Sequence, residues 1–148
     1  MPEPGSSVGG AAGGRVLGLD LGQSRIGVAI SDAERRVAVP IGTIRTGAPA
    51  DVKAIAAIVR EEGVSQIVVG HPISLSGRKG EAADHAERFA QALNDFLQVP
   101  VILRDERFTT VQAERRLAQA GVRGRARREV VDQTAATIIL QDFLDSER

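Results

Sequence analysis

The sequence predicts an α/β fold: a five-stranded mixed sheet, part antiparallel meander and part parallel, flanked by helices. Three features point to it. Three short β-branched runs near the N-terminus are separated by two tight turns, which suits a meander. Beyond them, apolar runs alternate with segments of helical periodicity, which suits parallel strands joined by helices. At 148 residues the chain is also long enough for one good core.

Val16–Asp20 and Ile26–Ser31 read as strands joined at Gly22-Gln23-Ser24. Asp32-Ala33-Glu34-Arg35 forms the next turn. Val37–Ile44 is the third strand, with Pro40 at an edge or a bulge because proline cannot donate to a ladder. Asp51–Glu62 carries Val52, Ile55, Ile58 and Val59 at helical spacing, and Gly63 stops it. Gln66–Gly70 contains a continuous apolar run suited to a buried parallel strand. His71–Gly80 is a polar loop. Glu81–Leu97 places Ala82, Ala86, Phe89, Ala90, Leu93 and Leu97 along one helical face. Pro100–Leu103 is the fifth strand and runs into Arg104-Asp105-Glu106-Arg107. Thr109 with Gln112 fits a capping box, and Gly121 fits a left-handed helix stop. Val122–Arg128 reads as an Arg-rich loop, and a last helix runs from about Glu129 to Leu144. Right-handed crossovers are expected between the parallel strands.

Nineteen basic and nineteen acidic residues leave no net charge. That excludes both a strongly basic nucleic-acid sponge and an acidic disordered chain. All the basic residues except Lys53 and Lys79 are Arg. Arg suits bidentate phosphate contacts, and high-GC coding produces the same bias. The absence of Cys excludes disulfides, thiol chemistry and Cys-zinc sites. No apolar run approaches the ~20 residues of a membrane span. Met1–Gly14 is rich in Gly, Ser, Pro and Ala and lacks the apolar segment of a signal peptide. It is expected to be a disordered tail before a single domain over residues 15–148, and the cytoplasm is the expected location.

Three acidic positions stand out. Asp20 ends the first strand, where the sheet holds an acid rigidly, and rigid acids at strand ends hold hard divalent cations. Asp105 and Glu106 end the last strand. Strand alternation puts these two on opposite faces, so only one can aim at a site beside Asp20, and the pattern alone does not choose. Asp132 lies in the first turn of the expected last helix, on the face of Ala136, Ile139 and Phe143 that should pack on the sheet. Each has an ordinary explanation: a turn-forming Asp before Gly, a solvated strand end, and a favourable charge in a first helical turn. Together they make a stronger case, because three converging carboxylates repel unless a cation sits between them. Two Mg²⁺ or Mn²⁺ ions can activate a water and stabilise the leaving oxygen of a phosphodiester without a His or Lys base, in keeping with the sparse His and Lys here.

His71 reads as a hydrogen-bonded structural group and His85 as an exposed helical residue. Thr109 and Thr110 read as caps, although a hydroxyl beside an acid can also touch phosphate. Arg123, Arg125, Arg127 and Arg128 form a positive cluster before Asp132, either a solvated charge run or a contact to phosphate backbone. With no Trp or Tyr and only four Phe, a base-stacking platform is not expected.

Several ordered blocks carry a resemblance. They are Gly18-Leu19-Asp20-Leu21-Gly22 with Arg25-Ile26-Gly27-Val28-Ala29 and Ser31-Asp32; Ile67-Val68-Val69-Gly70 with Pro72 and Gly77; Asp105-Glu106-Arg107-Phe108-Thr109-Thr110 leading to Ala113-Glu114; and Asp132-Gln133-Thr134-Ala135-Ala136 with Ile139-Leu140. Over residues 15–145 the chain resembles the YqgF family, RuvC-like nucleases described both as Holliday-junction resolvases and as pre-16S rRNA nucleases. The resemblance implies an RNase H-like fold and a metal-dependent nuclease whose acids map onto Asp20, Glu106 and Asp132. The preference for Glu106 over Asp105 comes from it. Ser24 stands where the family often has Lys, and His71 where it usually has Leu.

The expectation is an endonuclease using two Mg²⁺ or Mn²⁺ ions held by Asp20, Glu106 and Asp132. Arg25, Arg107, Thr109, Thr110, Arg123, Arg125, Arg127 and Arg128 are the candidate contacts to substrate. The resemblance favours the 5′ end of pre-16S rRNA, with ribosomal particles as partners, over branched DNA. A sugar-kinase or actin-like ATPase also carries Asp-x-Gly in a first hairpin. Such enzymes clamp ATP between two domains of this kind, and one copy is present here. A non-catalytic nucleic-acid or ribosome-binding module is the third possibility, and a binder has no use for a repulsive cluster of acids.

Overall fold

A computed structural model of the chain describes residues 14–72, 80–106, 121 and 124–147, excepting the side chains of residues 124–132. The expected N-terminal tail and the expected helix from Thr109 lie outside the described residues.

Five strands form one sheet: β1 (Arg15–Leu21), β2 (Arg25–Ser31), β3 (Ala38–Arg45), β4 (Val64–His71) and β5 (Val101–Asp105). The spatial order is β3-β2-β1-β4-β5. β1 pairs antiparallel with β2, and β2 antiparallel with β3, while β1–β4 and β4–β5 are parallel. The expected α/β mixed sheet is the observed one.

Pro40 sits on edge strand β3 beside a bulge. Gly42 pairs with Val28 and Pro40 with Ala29, leaving Ile41 as the extra residue. Proline's missing donor is tolerated there for that reason. The preceding turn is closed by Asp32, whose Oδ1 accepts from the amides of Arg36 at 2.7 Å and Val37 at 3.1 Å. These bonds hold the Asp32 carboxyl below its ordinary pKa.

Three described helices cover the sheet: α1 (Ala50–Glu62), α2 (Glu81–Phe96) and α3 (Gly124–Ser146). Gly63 ends α1 at φ 67°, with its amide bonded to the Val59 carbonyl. Gly121 has φ 81°, the left-handed conformation its sequence context calls for. On α2 the buried alanine is Ala83, and Ala82 is exposed. The buried stripe therefore runs Ala83, Ala86, Phe89, Ala90, Leu93 and begins one residue later than the periodicity suggested.

The last helix departs most from expectation. It begins at Gly124, so Arg125, Arg127 and Arg128 belong to its opening turns and not to a loop. Arg and Ala are strong helix formers, and nothing after Gly124 breaks the run. Asp132 is accordingly more than two turns into the helix, and a first-turn charge effect no longer accounts for it.

Strand alternation sorts the core into two layers. Leu17, Leu19, Ile26, Val28, Ile67 and Val69 form one core with Ile55 of α1 and Ala86, Phe89 and Leu93 of α2. Val16, Ala29 and Val68 form the other, with Ala136, Ile139, Leu140 and Phe143 of α3. α3 is also tied to the edge strand: Gln141 Oε1 accepts from Ala38 N at 2.9 Å, and its Nε2 donates to the Arg36 carbonyl at 2.9 Å.

Close approach of α3 to β1 depends on Gly18. A Cβ there would come within 2.8 Å of Leu140 Cβ and 3.2 Å of the Ala136 carbonyl oxygen. Gly18→Ala is expected to destabilise the fold by about 1–3 kcal/mol, as overpacking does. A urea midpoint equal to the parent's would show that the helix yields instead.

Candidate active site

The central strand carries its acid at its C-terminal end. Asp20 follows Val16 and Gly18 on the face covered by α3, and it is only 8% exposed. Glu106 follows directly on β5, with its amide bonded to the His71 carbonyl at 3.2 Å. β4 lies between these strands. The first and last strands are therefore not neighbours, and their acids meet across β4 at Gly70.

Gly70 makes the meeting possible. A Cβ on it would collide with Glu106 Oε2 and lie 2.7 Å from Ile139 Cδ1. The space a side chain would fill holds the Glu106 carboxylate instead. Sequence reasoning did not single out this glycine as a functional position. Its signal was a Gly closing a Val-rich buried strand, where a close approach is one of the few reasons to lack a side chain.

The structure separates the two acids at the end of β5. Asp105 is exposed, and Glu106 turns inward to Asp20. Glu106 Oε2 is buried with no hydrogen-bond partner among the described residues. Its carboxyl is pushed up to about 9, first by burial, then by the Asp20 charge and a hydrogen bond with Asp20, with a smaller repulsion from Asp105. A buried carboxylate oxygen that no donor reaches, facing a second buried carboxylate, is the environment a hard cation satisfies. Asp20 and Glu106 thus fit a divalent ion.

Among the described residues no group of three metal-ligating side chains is found. Asp132 lies on α3 one turn ahead of Ala136, which packs on β1, and its side chain is outside the described set. Arg107, Thr109, Thr110 and Arg123 lie outside the described residues. Arg125, Arg127 and Arg128 are placed by backbone alone, on α3. Arg25 opens β2 opposite Arg45 of β3. His71 belongs to the opposite face, where its Nε2 lies 2.8 Å from Glu87 Oε2 of α2, the structural role expected of it.

The sequence profile described as "RuvX: Holliday junction resolvase" matches residues 14–146. The chain belongs to this family. It is the family that the sequence blocks around Asp20, Glu106 and Asp132 resemble. A protein of Thermobifida fusca named "Putative pre-16S rRNA nuclease" is 51% identical over 89% of this chain and 87% of its own length. One of the same name from Chloroflexus aurantiacus is 47% identical over 90% of this chain and 88% of its own. Among solved structures, T. thermophilus RuvC in complex with a Holliday junction substrate shares the fold. Its TM-score is 0.56 at 16% identity, covering 90% of this chain and 95% of that one.

The paired acids set a pH dependence. Between its ordinary value of 4.5 and about 9, Glu106 binds a proton in the folded chain that it would release on unfolding. Its contribution to stability is therefore full below that window and declines as pH rises through it. The metal-free thermal midpoint is expected to fall from pH 5.5 to 8.5 more steeply in the parent than in Glu106→Gln. Mn²⁺ should raise the parent's midpoint most at the alkaline end, because the ion binds the deprotonated pair. Parallel pH profiles for parent and variant, with or without Mn²⁺, would refute the coupling.

Proposed function

We propose that this chain is a metal-dependent endonuclease that cuts phosphodiester bonds, with the 5′ end of precursor 16S rRNA as its substrate. The observation that carries this reading is the pair of buried carboxylates, Asp20 and Glu106, meeting at Gly70, with Glu106 Oε2 buried over Gly70 and unpartnered among the described residues. Family membership and the names of relatives that cover most of the chain support it.

Asp20 and Glu106 would hold the metal, and Asp132 is proposed as their third partner. When bound, two Mg²⁺ or Mn²⁺ ions would supply an activated water and neutralise charge on the leaving oxygen. The protein's own part is positional. The sheet fixes Asp20 on its central strand, Gly70 clears room for the Glu106 carboxylate, and burial keeps that carboxylate from being satisfied by solvent. Arg25, Arg107, Thr109, Thr110 and the Arg123–Arg128 cluster are proposed to hold the substrate's backbone. The tail over residues 1–14, the single domain beyond it, a cytoplasmic location and work on ribosomal particles belong to the same proposal. No helix among the described residues is long and apolar enough to cross a membrane. The family's description as a Holliday junction resolvase supports a second reading, in which branched DNA is the substrate.

One comparison tests both. The parent and Asp20→Asn are assayed with Mn²⁺ on a precursor 16S fragment and on a four-way DNA junction. Groups that only support metal ligands are worth 10–100-fold, so loss of a ligand charge should slow cleavage by roughly 100-fold or more. An Asp20→Asn chain that cuts at the parent's rate rules out the metal mechanism. Faster cutting of the junction than of the RNA transfers the assignment to branched DNA.

A further inference from the structure

The sheet carries a second polar feature at the same end as the acids. A cavity of about 490 Å³ opens beside the β1–β2 turn, lined by Ser24, Arg25, Thr43, Arg45 and Thr46. Among the described residues its lining holds two guanidinium groups and three hydroxyls, and no carboxylate.

Register places this cavity relative to the acids. Asp20 pairs with Gly27, and Gly27 with Thr43, so the three lie in one row across the sheet. Directly paired residues project from the same face. Thr43 thus shares Asp20's face, and so do Arg25 and Arg45, each two residues from that row along its strand. Two strand spacings separate Thr43 from Asp20, roughly 10 Å.

Arg25 and Arg45 are themselves a direct cross-strand pair. An anion seated between two such side chains can accept charge-assisted hydrogen bonds from both guanidinium groups. The Arg45 side chain makes no hydrogen bond or ion pair among the described residues. The surrounding backbone is braced before any ligand arrives. Thr46 N donates to the Ser24 carbonyl at 3.0 Å, and Thr46 Oγ1 to the Gly22 carbonyl at 3.3 Å. Gly47 N donates to Asp51 Oδ2 at 3.0 Å, anchoring the end of β3 to α1.

We propose that this cavity is a subsite for a backbone phosphate of the nucleic acid, held by Arg25 and Arg45 with Thr43, at a position along the strand from the phosphate at Asp20 and Glu106. Its place relative to the cut rests on the nuclease reading, and its binding chemistry does not. The subsite fixes where the strand lies, and reads phosphate rather than base or sugar.

The test separates binding from cleavage. Metal-free parent, Arg45→Gln, Arg45→Lys and Arg60→Gln are titrated with a labelled single-stranded RNA, and with DNA of the same sequence, over a range of salt. Arg60 lies on α1, away from the cavity, and serves as the control. Arg45→Gln is expected to weaken binding about tenfold on both strands and to lower the salt slope by about one. Arg45→Lys should restore the slope without the full affinity, because the ammonium lacks the guanidinium fork. Arg60→Gln should change neither. Equal effects of Arg45→Gln and Arg60→Gln, an Arg45→Gln slope equal to the parent's, or no binding by the parent overturn the subsite. A parent that shows the Arg45-dependent slope but cuts nothing with Mn²⁺ keeps the subsite and refutes the nuclease reading. One that cuts with an Arg45-independent slope does the reverse.

Discussion

Two carboxylates buried against each other are the constraint around which this molecule is arranged. Asp20 and Glu106 are pressed together at the C-terminal edge of the sheet, and neither repulsion nor desolvation favours leaving both charged. The surrounding chain accommodates them with missing side chains. Gly70 vacates the volume that the Glu106 carboxylate occupies, and Gly18 lets α3 settle onto β1 within contact of Leu140 and Ala136. The same close approach holds α3 one turn beyond Asp132, the residue proposed as third partner of the pair. Packing and chemistry are therefore one problem here. The apolar layer of Val16, Val68, Ala136, Ile139 and Leu140 supplies the stabilisation that lets the acids be held in an unfavourable arrangement.

What could be read from the sequence divides along the range of the interactions involved. The strands, the Pro40 irregularity and the Gly63 stop follow from local rules, because β-branching, a missing donor and a left-handed φ act within a few residues. The choice between Asp105 and Glu106 was different. Alternation showed that they face opposite ways but not which way is inward. That depends on the register of β5 against β4, set by Ile67–Val101 and His71–Asp105 pairing more than thirty residues apart. Only the family resemblance favoured Glu106 beforehand. Gly70 was visible as a residue, yet its purpose depends on a side chain from another strand. The start of α3 was misplaced because an Arg-rich stretch looks like a loop by polarity while its helical propensity is high. Arg45 was overlooked for a related reason. It is an unremarkable strand-end residue until pairing sets it opposite Arg25.

A chain with no net charge can still be built to engage a polyanion, provided its charges are segregated. In this fold Asp20 and Glu106 withdraw from solvent at one end of the sheet, and the guanidinium groups of Arg25 and Arg45 lie together on β2 and β3. Such an arrangement positions a strand without adding the non-specific attraction of a basic surface. It also accounts for a nucleic-acid enzyme with few aromatic residues, since contact through phosphate needs no stacking platform.

Proton handling follows from what lies near the acids and what does not. Of the two histidines, His71 sits on the opposite face and is engaged by Glu87, and His85 lies on α2, beside Phe89. Neither is placed to take a proton from a water at Asp20. Among the described groups, the one whose protonation is poised to change near neutral to alkaline pH beside Asp20 is Glu106 itself. The carboxyl proposed as a metal ligand is then also the group that burial holds protonated, so binding an ion there would require that proton to leave.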